Sequence, residues 1–291
     1  MQTNDPPLFQ RVACLQFDPR LGEPSDNQRR AESLLASSGA KNLDLLLLPE
    51  MAFTGYCFKS RDEILPFCED ASTGPTAIWC REQAKRRNSV VVCGFPERAA
   101  DGRLFNSLLV VDRAGEAIHV YRKHFLFTTD ETWAEQGPGF SRKEIPGLGR
   151  CAFGICMDLN PRKFEAPFDR FEFASALFDP PLAHHEQPKH GKHRLAVDRI
   201  LLCNNWLRAP ADHAMPDADH CRHLLNYWAT RLTPALGQPA TVILANRVGR
   251  ERDSLFAGCS CVIDLRSRTV LGHLDGREEG VLVVDLPISP L

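Results

Sequence analysis

The sequence predicts a single α/β domain in which helices flank β-sheets and the C-terminal third is rich in strands. Apolar runs of strand length alternate with helical patterns along the first two thirds of the chain, and several strand-like segments follow one another in the tail. No Gly- or Ser-rich linker divides the 291 residues. With 43% apolar residues, a chain of this length can bury one large core.

The first half of the chain predicts three strands, two helices and a hairpin. Ser25 followed by Gln28 forms a capping-box pattern, which predicts a helix through about Ser37. Pro75 suits the first turn of a helix over 75–87. The unbroken apolar run in LDLLLLPE is typical of a strand covered on both faces. The strands are predicted at 11–17, 43–50 and 89–95, and the hairpin joins LFNSLLVV to AIHVYRK.

The second half continues the alternation and then becomes strand-rich. Leu224, Leu225, Trp228 and Leu232 recur at helical spacing, which predicts a helix over about 217–232. The other predicted elements are strands at 150–156 and 198–204, a helix near 167–177, and strands at TVILANR, LFAGCSCVIDL, TVLGHL and GVLVVDL.

Composition excludes several classes of protein. No stretch approaches the roughly 18 apolar residues of a membrane span. The start, MQTNDPPLFQ, lacks the basic and apolar regions of a secretory signal. A net charge of -2 gives no electrostatic reason to expect nucleic acid or a membrane surface as partner.

The eleven cysteines are scattered and include no C-x-x-C pair, so we do not expect a disulfide framework. Most lie in strand-like runs, as Cys14, Cys93 and Cys203 do, and should be small buried hydrophobes. This usage predicts a reducing, cytoplasmic location. Four histidines in the segment 179–194 have irregular spacing, and since nothing fixes a coordination geometry we expect no metal site there.

Three chemically reactive residues lie at the ends of predicted strands. Glu50 closes LLLLPE, Lys123 closes HVYRK and Cys156 closes FGIC. Strand ends of α/β folds aim side chains into a common crevice, so we expect these three residues to meet. A cysteine needs a base to become a thiolate, a shielded carboxylate can act as that base, and a lysine ammonium can stabilise an oxyanion. The combination favours acyl transfer from a carbon–nitrogen substrate.

The segments LLLLPEMAFTGY, YRKHFLF and GICMDLNPRKF resemble, in order and spacing, the three signature blocks of the nitrilase superfamily of carbon–nitrogen hydrolases. The resemblance places the superfamily's Glu–Lys–Cys triad on Glu50, Lys123 and Cys156. It places a further catalytic glutamate on Glu131, with Glu135 as the alternative. The resemblance also implies a four-layer α-β-β-α sandwich, formed as one domain over residues 8–288.

Three further stretches narrow the resemblance. CMDLNPRKFEAPFDRFEF, NYWATRLTP and ILANRVGRERDSLFAGCS are similar to the protein N-terminal asparagine/glutamine amidohydrolases of the N-degron pathway. This similarity implies that a cysteine thioester intermediate converts N-terminal Asn, and also Gln, to the acid with release of ammonia. It implies no metal or organic cofactor, and it makes peptides with a free N-terminal Asn or Gln the partners of a monomer or homodimer.

Substrate binding has several candidate residues. The backbone N–H of Met157 can stabilise the oxyanion, and Asp158 or Glu97 can bind the α-ammonium group. Asp158 can equally brace the turn after the nucleophile. Asn205 and Trp206 follow a predicted strand and can line the pocket, although Trp206 suits the core equally well.

Two other functions stay open. One is a small-molecule ω-amidase of the same superfamily, which would not require a free amino group. The other is a binding module without activity, which usually accompanies the loss of a triad member, and none is lost here. A Cys–His protease is disfavoured because none of the ten histidines lies in a recognisable catalytic block.

Overall fold

Two six-stranded β-sheets organise the computed structural model, which describes residues 9–178 and 197–287. The sheets face each other, and helices cover the outer face of each sheet, so the predicted α-β-β-α sandwich is confirmed. The His-rich stretch at 179–194, for which no metal site was expected, lies outside the described residues.

The first sheet has the strand order β14-β1-β2-β3-β4-β5. Strands β1, β2 and β3 are parallel, and the remaining neighbours are antiparallel. The predicted hairpin is confirmed as the β4–β5 pair. The bounds are β1 Phe9–Gln16, β2 Leu45–Leu47, β3 Val90–Arg98, β4 Leu104–Val111, β5 Ala117–Arg122 and β14 Gly280–Pro287.

The second sheet has the order β13-β12-β9-β8-β7-β6 and again contains a parallel trio, formed by β7, β8 and β9. Its bounds are β6 Arg142–Ile145, β7 Gly149–Ile155, β8 Arg199–Asn204, β9 Thr241–Asn246, β12 Cys261–Asp264 and β13 Thr269–His273. A separate two-stranded hairpin, β10 Arg250–Glu251 and β11 Ser254–Leu255, precedes β12.

The described helices are α1 Pro24–Ser37, α2 Arg61–Ile64, α3 Pro75–Arg87, α4 Glu172–Phe178 and α5 Asp217–Arg231. Helices α1 and α3 cover the first sheet, and α4 and α5 cover the second. No helix within the described ranges is long and apolar enough to cross a bilayer.

The unbroken apolar strands are explained by burial on both faces. In β2, Leu45 and Leu47 point between the sheets, whereas Leu46 points toward the outer helices. In β8, Leu201 lies between the sheets and Ile200 lies under α4 and α5. Because side chains alternate along a strand, a strand that is covered on both faces needs an apolar residue at every position.

Three local predictions were wrong. Helix α1 begins at Pro24 without a side-chain cap, so Ser25 does not form the capping box. Helix α4 begins at Glu172, because left-handed backbone angles at Lys163, Phe164 and Phe171 keep the preceding segment irregular.

The third correction concerns the cysteines. Cys221 of α5 and Cys259 form a disulfide, although the sequence favours reduced thiols throughout. The cysteines are 38 positions apart, and only packing of α5 on the second sheet brings them together. Location in a reducing compartment stays a prediction.

Candidate active site

The predicted residues converge where strands of both sheets end. Glu50 follows β2, Lys123 follows β5 and Cys156 follows β7. The loop that carries Glu50 crosses β3 at Gly94, where a Cβ atom would lie 2.5 Å from the Cα of Glu50. Only glycine permits this close approach, so β3 helps to position Glu50.

Lys123 is fully buried and ion-paired twice. Its Nζ donates to Glu50 Oε1 and to Asp130 Oδ2, each at 2.6 Å. Burial opposes the positive charge, but the carboxylates of Asp130 and Glu50 outweigh this effect, so the pKa of Lys123 is raised. The ammonium group is therefore charged at neutral pH.

Glu50 is also fully buried, and all its partners are donors. Oε1 accepts from Lys123 and from the side-chain amide of Asn106 at 2.7 Å, and Oε2 accepts from the backbone N–H of Asn205 at 2.8 Å. Burial raises the pKa of Glu50 above its ordinary 4.5, although the charge of Lys123 opposes the rise. A raised pKa suits a group that must accept and return a proton.

Asp130 is a site residue that the sequence analysis missed. It is fully buried and accepts from Lys123, from the Asn106 side-chain amide at 3.0 Å and from the backbone N–H of Phe127 at 3.0 Å. Glu50, Lys123 and Asp130 form what is here called the buried cluster. The next residue, Glu131, is exposed and pairs with Lys163 at 3.6 Å, so it lies outside this cluster.

The sequence signal for Asp130 was its position beside Glu131 in TTDETW. Spacing alone assigns a carboxylate to this region but not to one residue. The 3₁₀ turn Asp130–Thr132 determines which carboxylate is buried, because it directs Asp130 inward and Glu131 outward. Glu135 is likewise exposed, 3.9 Å from Arg103.

Cys156 occupies a strained turn at the end of β7. Its φ is +42°, a left-handed value that costs energy for any residue with a Cβ atom, and its N–H donates to Asn204 Oδ1 at 2.9 Å. Burial and the charge of Glu50 raise its thiol pKa well above the ordinary value, whereas Lys123 lowers it. The resting thiol is therefore protonated, and reaction requires a base.

A cavity of about 690 Å³ opens over Cys156. Asn205 and Trp206 line it, as expected, and Met157, whose backbone N–H was expected to stabilise the oxyanion, lines it too. The side-chain amide of Asn205 is buried without a partner on either its nitrogen or its oxygen. Because buried polar atoms are almost always hydrogen-bonded, this amide is available to a ligand. Trp206 packs edge-on against Tyr227 and Trp228 and so serves both the wall and the core.

The carboxylate of Asp158 is hydrogen-bonded to other groups of the protein. Its carboxylate accepts from Tyr121 Oη at 2.8 Å and from the backbone N–H groups of His124, Phe125 and Ile155 at 3.0, 2.7 and 2.9 Å. It joins the turn after Cys156 to the loop after Lys123. Of the two roles that the sequence left open, the geometry favours bracing over ammonium binding.

Glu97 is placed away from the cavity wall. It is buried on β3 and accepts from Ser107 Oγ at 2.7 Å and from Arg122 at 2.6 and 2.8 Å. Among the described residues, the carboxylates that do line the cavity are Asp212 and Asp253, which the sequence analysis missed. Both lie outside the three signature blocks: Asp253 lies in the further stretch ILANRVGRERDSLFAGCS, and Asp212 lies in none of the stretches that carry the resemblance.

No group of three or more His, Cys, Asp or Glu side chains in the described part of the chain is arranged to hold a metal ion. The groups that the site presents are a nucleophile, Cys156, a buried carboxylate, Glu50, and a buried cation, Lys123.

Comparison with known proteins agrees with this chemistry. The carbon-nitrogen hydrolase family model matches residues 11–160, which include Glu50, Lys123 and Cys156. The protein N-terminal amidase of Schizosaccharomyces pombe is 36% identical over 95% of this chain and 99% of its own length. The 2-oxoglutaramate amidase of Bacillus subtilis is 26% identical over 96% and 91% of the two chains.

A solved structure of an N-terminal amidase with an Asn-Glu-Ala peptide superposes with a TM-score of 0.80. It is 21% identical and covers 98% of this chain and 99% of that one, so it establishes the fold. The family match over the signature blocks and the 36% identity to the S. pombe protein along almost the whole of both chains establish the family. This chain belongs to the carbon–nitrogen hydrolase family.

Proposed function

We propose that this protein is an N-terminal amidase. It hydrolyses the side-chain amide of an N-terminal Asn or Gln of a peptide, releases ammonia and leaves Asp or Glu. The observation that carries the proposal is the similarity to the S. pombe protein N-terminal amidase along almost the whole of both chains. The buried cluster and the wide cavity beside Cys156 are consistent with that activity.

In the first step, Glu50 removes the thiol proton of Cys156, and the thiolate attacks the carbon of the substrate amide. Oε2 of Glu50 accepts one hydrogen bond, from the N–H of Asn205, and keeps a second lone pair for the thiol. The raised pKa of the thiol makes this transfer necessary, because few thiolates form without it.

The attack creates an oxyanion, which Lys123 and the backbone N–H of Met157 stabilise. An ammonium group has three donor hydrogens, and Lys123 uses two of them on Glu50 and Asp130. The third can bond the oxyanion. Because Asp130 and Glu50 hold the ammonium in place, little reorganisation accompanies the reaction.

Collapse of the tetrahedral intermediate expels ammonia, which takes the proton from Glu50, and leaves a thioester on Cys156. Glu50 then removes a proton from water, which attacks the thioester. The second tetrahedral intermediate releases the acid, and the departing Cys156 thiolate takes the proton back from Glu50. Glu131 has no part in this sequence, because it lies exposed and paired with Lys163.

The free α-ammonium group of the substrate needs an acceptor. Asp212 and Asp253 supply the carboxylates of the cavity wall, and the Asn205 amide supplies a further polar contact. Asp253 lies in the β10–β11 hairpin, which Glu251 fixes by accepting from the backbone of Tyr56 and Cys57. Asp253→Asn or Asp212→Asn should raise KM for a free-amine peptide, and Asp219→Asn, on the exposed side of α5, is the control.

The experiment compares a peptide that begins with Asn, its N-acetylated twin and a peptide with internal Asn, each followed by mass and by ammonia release. A site that bonds a specific polar group can reject an analogue without it by about 10⁴-fold. We expect conversion of the free-amine peptide alone, and equal turnover of the acetylated twin would refute the proposal.

The alternative function is a small-molecule ω-amidase, which the 26% identity to the B. subtilis 2-oxoglutaramate amidase favours. This substrate carries a keto group where an amino acid carries an ammonium. Rapid hydrolysis of 2-oxoglutaramate together with no hydrolysis of Asn- or Gln-initiated peptides would establish this alternative.

A further inference from the structure

We propose that Phe127 and Phe164, here called the aromatic rim, bind the second residue of the substrate peptide and select apolar side chains at that position. The inference rests on the proposed N-terminal amidase activity and adds a determinant of its specificity. Both rings line the same cavity as Cys156.

The aromatic rim joins two loops that leave the catalytic cluster. Phe127 lies in the loop that follows Lys123, and Phe164 lies in the loop that follows Cys156. The ring centroids are 6.4 Å apart and the rings are nearly perpendicular. Beside them, the Glu131–Lys163 ion pair connects the same two loops at 3.6 Å. The rim is therefore positioned by the same segments that position the nucleophile and the cation.

The loop around Phe164 has a backbone conformation that is unfavourable for its residues. Lys163 and Phe164 have φ values of +55° and +56°, and neither is glycine. Such strain persists where function requires it, and a bulky side chain at positive φ is unusual. Phe164 is nevertheless 59% exposed, so core packing does not explain the conformation. A ligand that covers the ring would bury apolar surface and account for both features.

The geometry of the reaction decides which part of the substrate reaches the rim. The side-chain amide of the first residue must lie at Cys156, next to the polar groups of Glu50, Lys123 and Asn205. A cavity of about 690 Å³ lies within the range that holds a drug-sized ligand, so it accepts more than one residue. The next residue of the peptide therefore extends toward the remaining wall.

The chemistry of that wall favours an apolar side chain. Phe127, Phe164 and Leu255 present apolar surface to the cavity. Lys163, which precedes Phe164, is paired with Glu131, and neither residue lines the cavity, so this pair gives no preference for an acidic or basic second residue. Aromatic rings add contact energy when an apolar group packs on them.

The test measures kcat and KM for peptides Asn-X-Ala-Ala in which X is Gly, Gln or Leu. Wild-type enzyme should prefer Leu over Gln and Gly. Phe164→Ala should lower kcat/KM for the Leu peptide by roughly tenfold, mainly through KM, and change the Gly peptide by less than about twofold. Phe164→Leu, which keeps an apolar side chain, should restore part of the preference.

The matched control is Phe168→Ala. Phe168 is 48% exposed in the same loop, but it does not line the cavity. Its removal should leave the order of the three peptides unchanged. Equal losses for the Gly and Leu peptides in Phe164→Ala, or an unchanged order, would overturn the rim proposal while leaving the amidase activity in place. Failure of the wild-type enzyme on all three peptides would instead overturn the proposed function.

Discussion

Asp130 and Glu131 are adjacent carboxylates in opposite environments. Asp130 is fully buried and accepts from Lys123, whereas Glu131 is exposed and pairs with Lys163. An exposed ion pair contributes about 0–1 kcal/mol, because water screens it. A buried pair gains little net stability either, because removing two charges from water costs about as much as their attraction returns.

The difference shows why the buried cluster indicates function. Lys123, Glu50 and Asp130 are all fully buried. Three buried charges add little net stability compared with apolar residues of similar size, so stability alone does not explain their presence. Buried groups with shifted pKa values, as the pKa values of Glu50 and Lys123 are raised here, concentrate at active sites. The exposed pair needs no such explanation, since it only connects two surface loops.

The largest effect should come from Cys156, which lies beside the buried cluster and lines the cavity. Cys156→Ala and Cys156→Ser should abolish ammonia release, because no other group at the site can form the thioester. Circular dichroism should show an intact fold. Cys68→Ala, at a similarly half-buried thiol outside the cavity, should keep most of the activity. Turnover by the Cys156→Ala protein would refute the assignment.

The next largest effect should come from Lys123. Lys123→Met should lower kcat by roughly 10²-fold or more, as expected for loss of an oxyanion donor. It should also lower the free energy of unfolding by about 3–5 kcal/mol, since Glu50 and Asp130 lose their buried partner.

Lys123→Arg is the charge-preserving control. A planar guanidinium cannot replace a compact ammonium between the two carboxylates, so activity should stay low. If Lys123→Arg were as active as wild type, Lys123 would be a structural ion-pair partner only.

The adjacent carboxylates themselves give the most direct comparison. Asp130→Asn removes a charge-assisted hydrogen bond worth about 1.5–3 kcal/mol, which corresponds to a decrease in kcat of roughly tenfold to a hundredfold. Glu131→Gln should change kcat by less than about twofold, because the pair that it removes is exposed. Steady-state kinetics on one Asn-initiated peptide would measure both. Equal losses in the two variants would show that burial does not separate their roles.

The smallest effect is on the pH profile. Glu50 acts as a base only when ionised, and burial raises its pKa above 4.5. Activity should therefore fall as the pH is lowered through a value above 4.5, in a range where the protein is still folded. Glu131→Gln should leave this acid limb unchanged. An acid limb at or below pH 4.5 in the profile of kcat/KM would argue against Glu50 as the base.

The fold and the core of the site were accessible from the sequence because they depend on local patterns. Uninterrupted apolar runs such as the one before Glu50 predicted strands that are buried on both faces, and the structure has these strands. The order and spacing of the three signature blocks indicated the family. Residues at strand ends are directed by the sheet itself, which is why Glu50, Lys123 and Cys156 could be selected together.

The remaining features depended on contacts between residues that are distant in the chain. Asp130 rather than Glu131 is buried because a single 3₁₀ turn directs Asp130 toward Lys123. The bracing role of Asp158 depends on backbone donors in the loop after Lys123. The cavity carboxylates Asp212 and Asp253 come from segments outside the signature blocks.

The sequence by itself determined the family, the layered α/β architecture and the three residues at the strand ends, because periodicity and short motifs carry that information within a few neighbouring positions. Only the tertiary structure decided which carboxylates are buried, which ones face the substrate cavity, and that Cys221 meets Cys259. Burial and charge pairing are properties of packed surfaces, and a packed surface exists only when distant segments of the chain have come together.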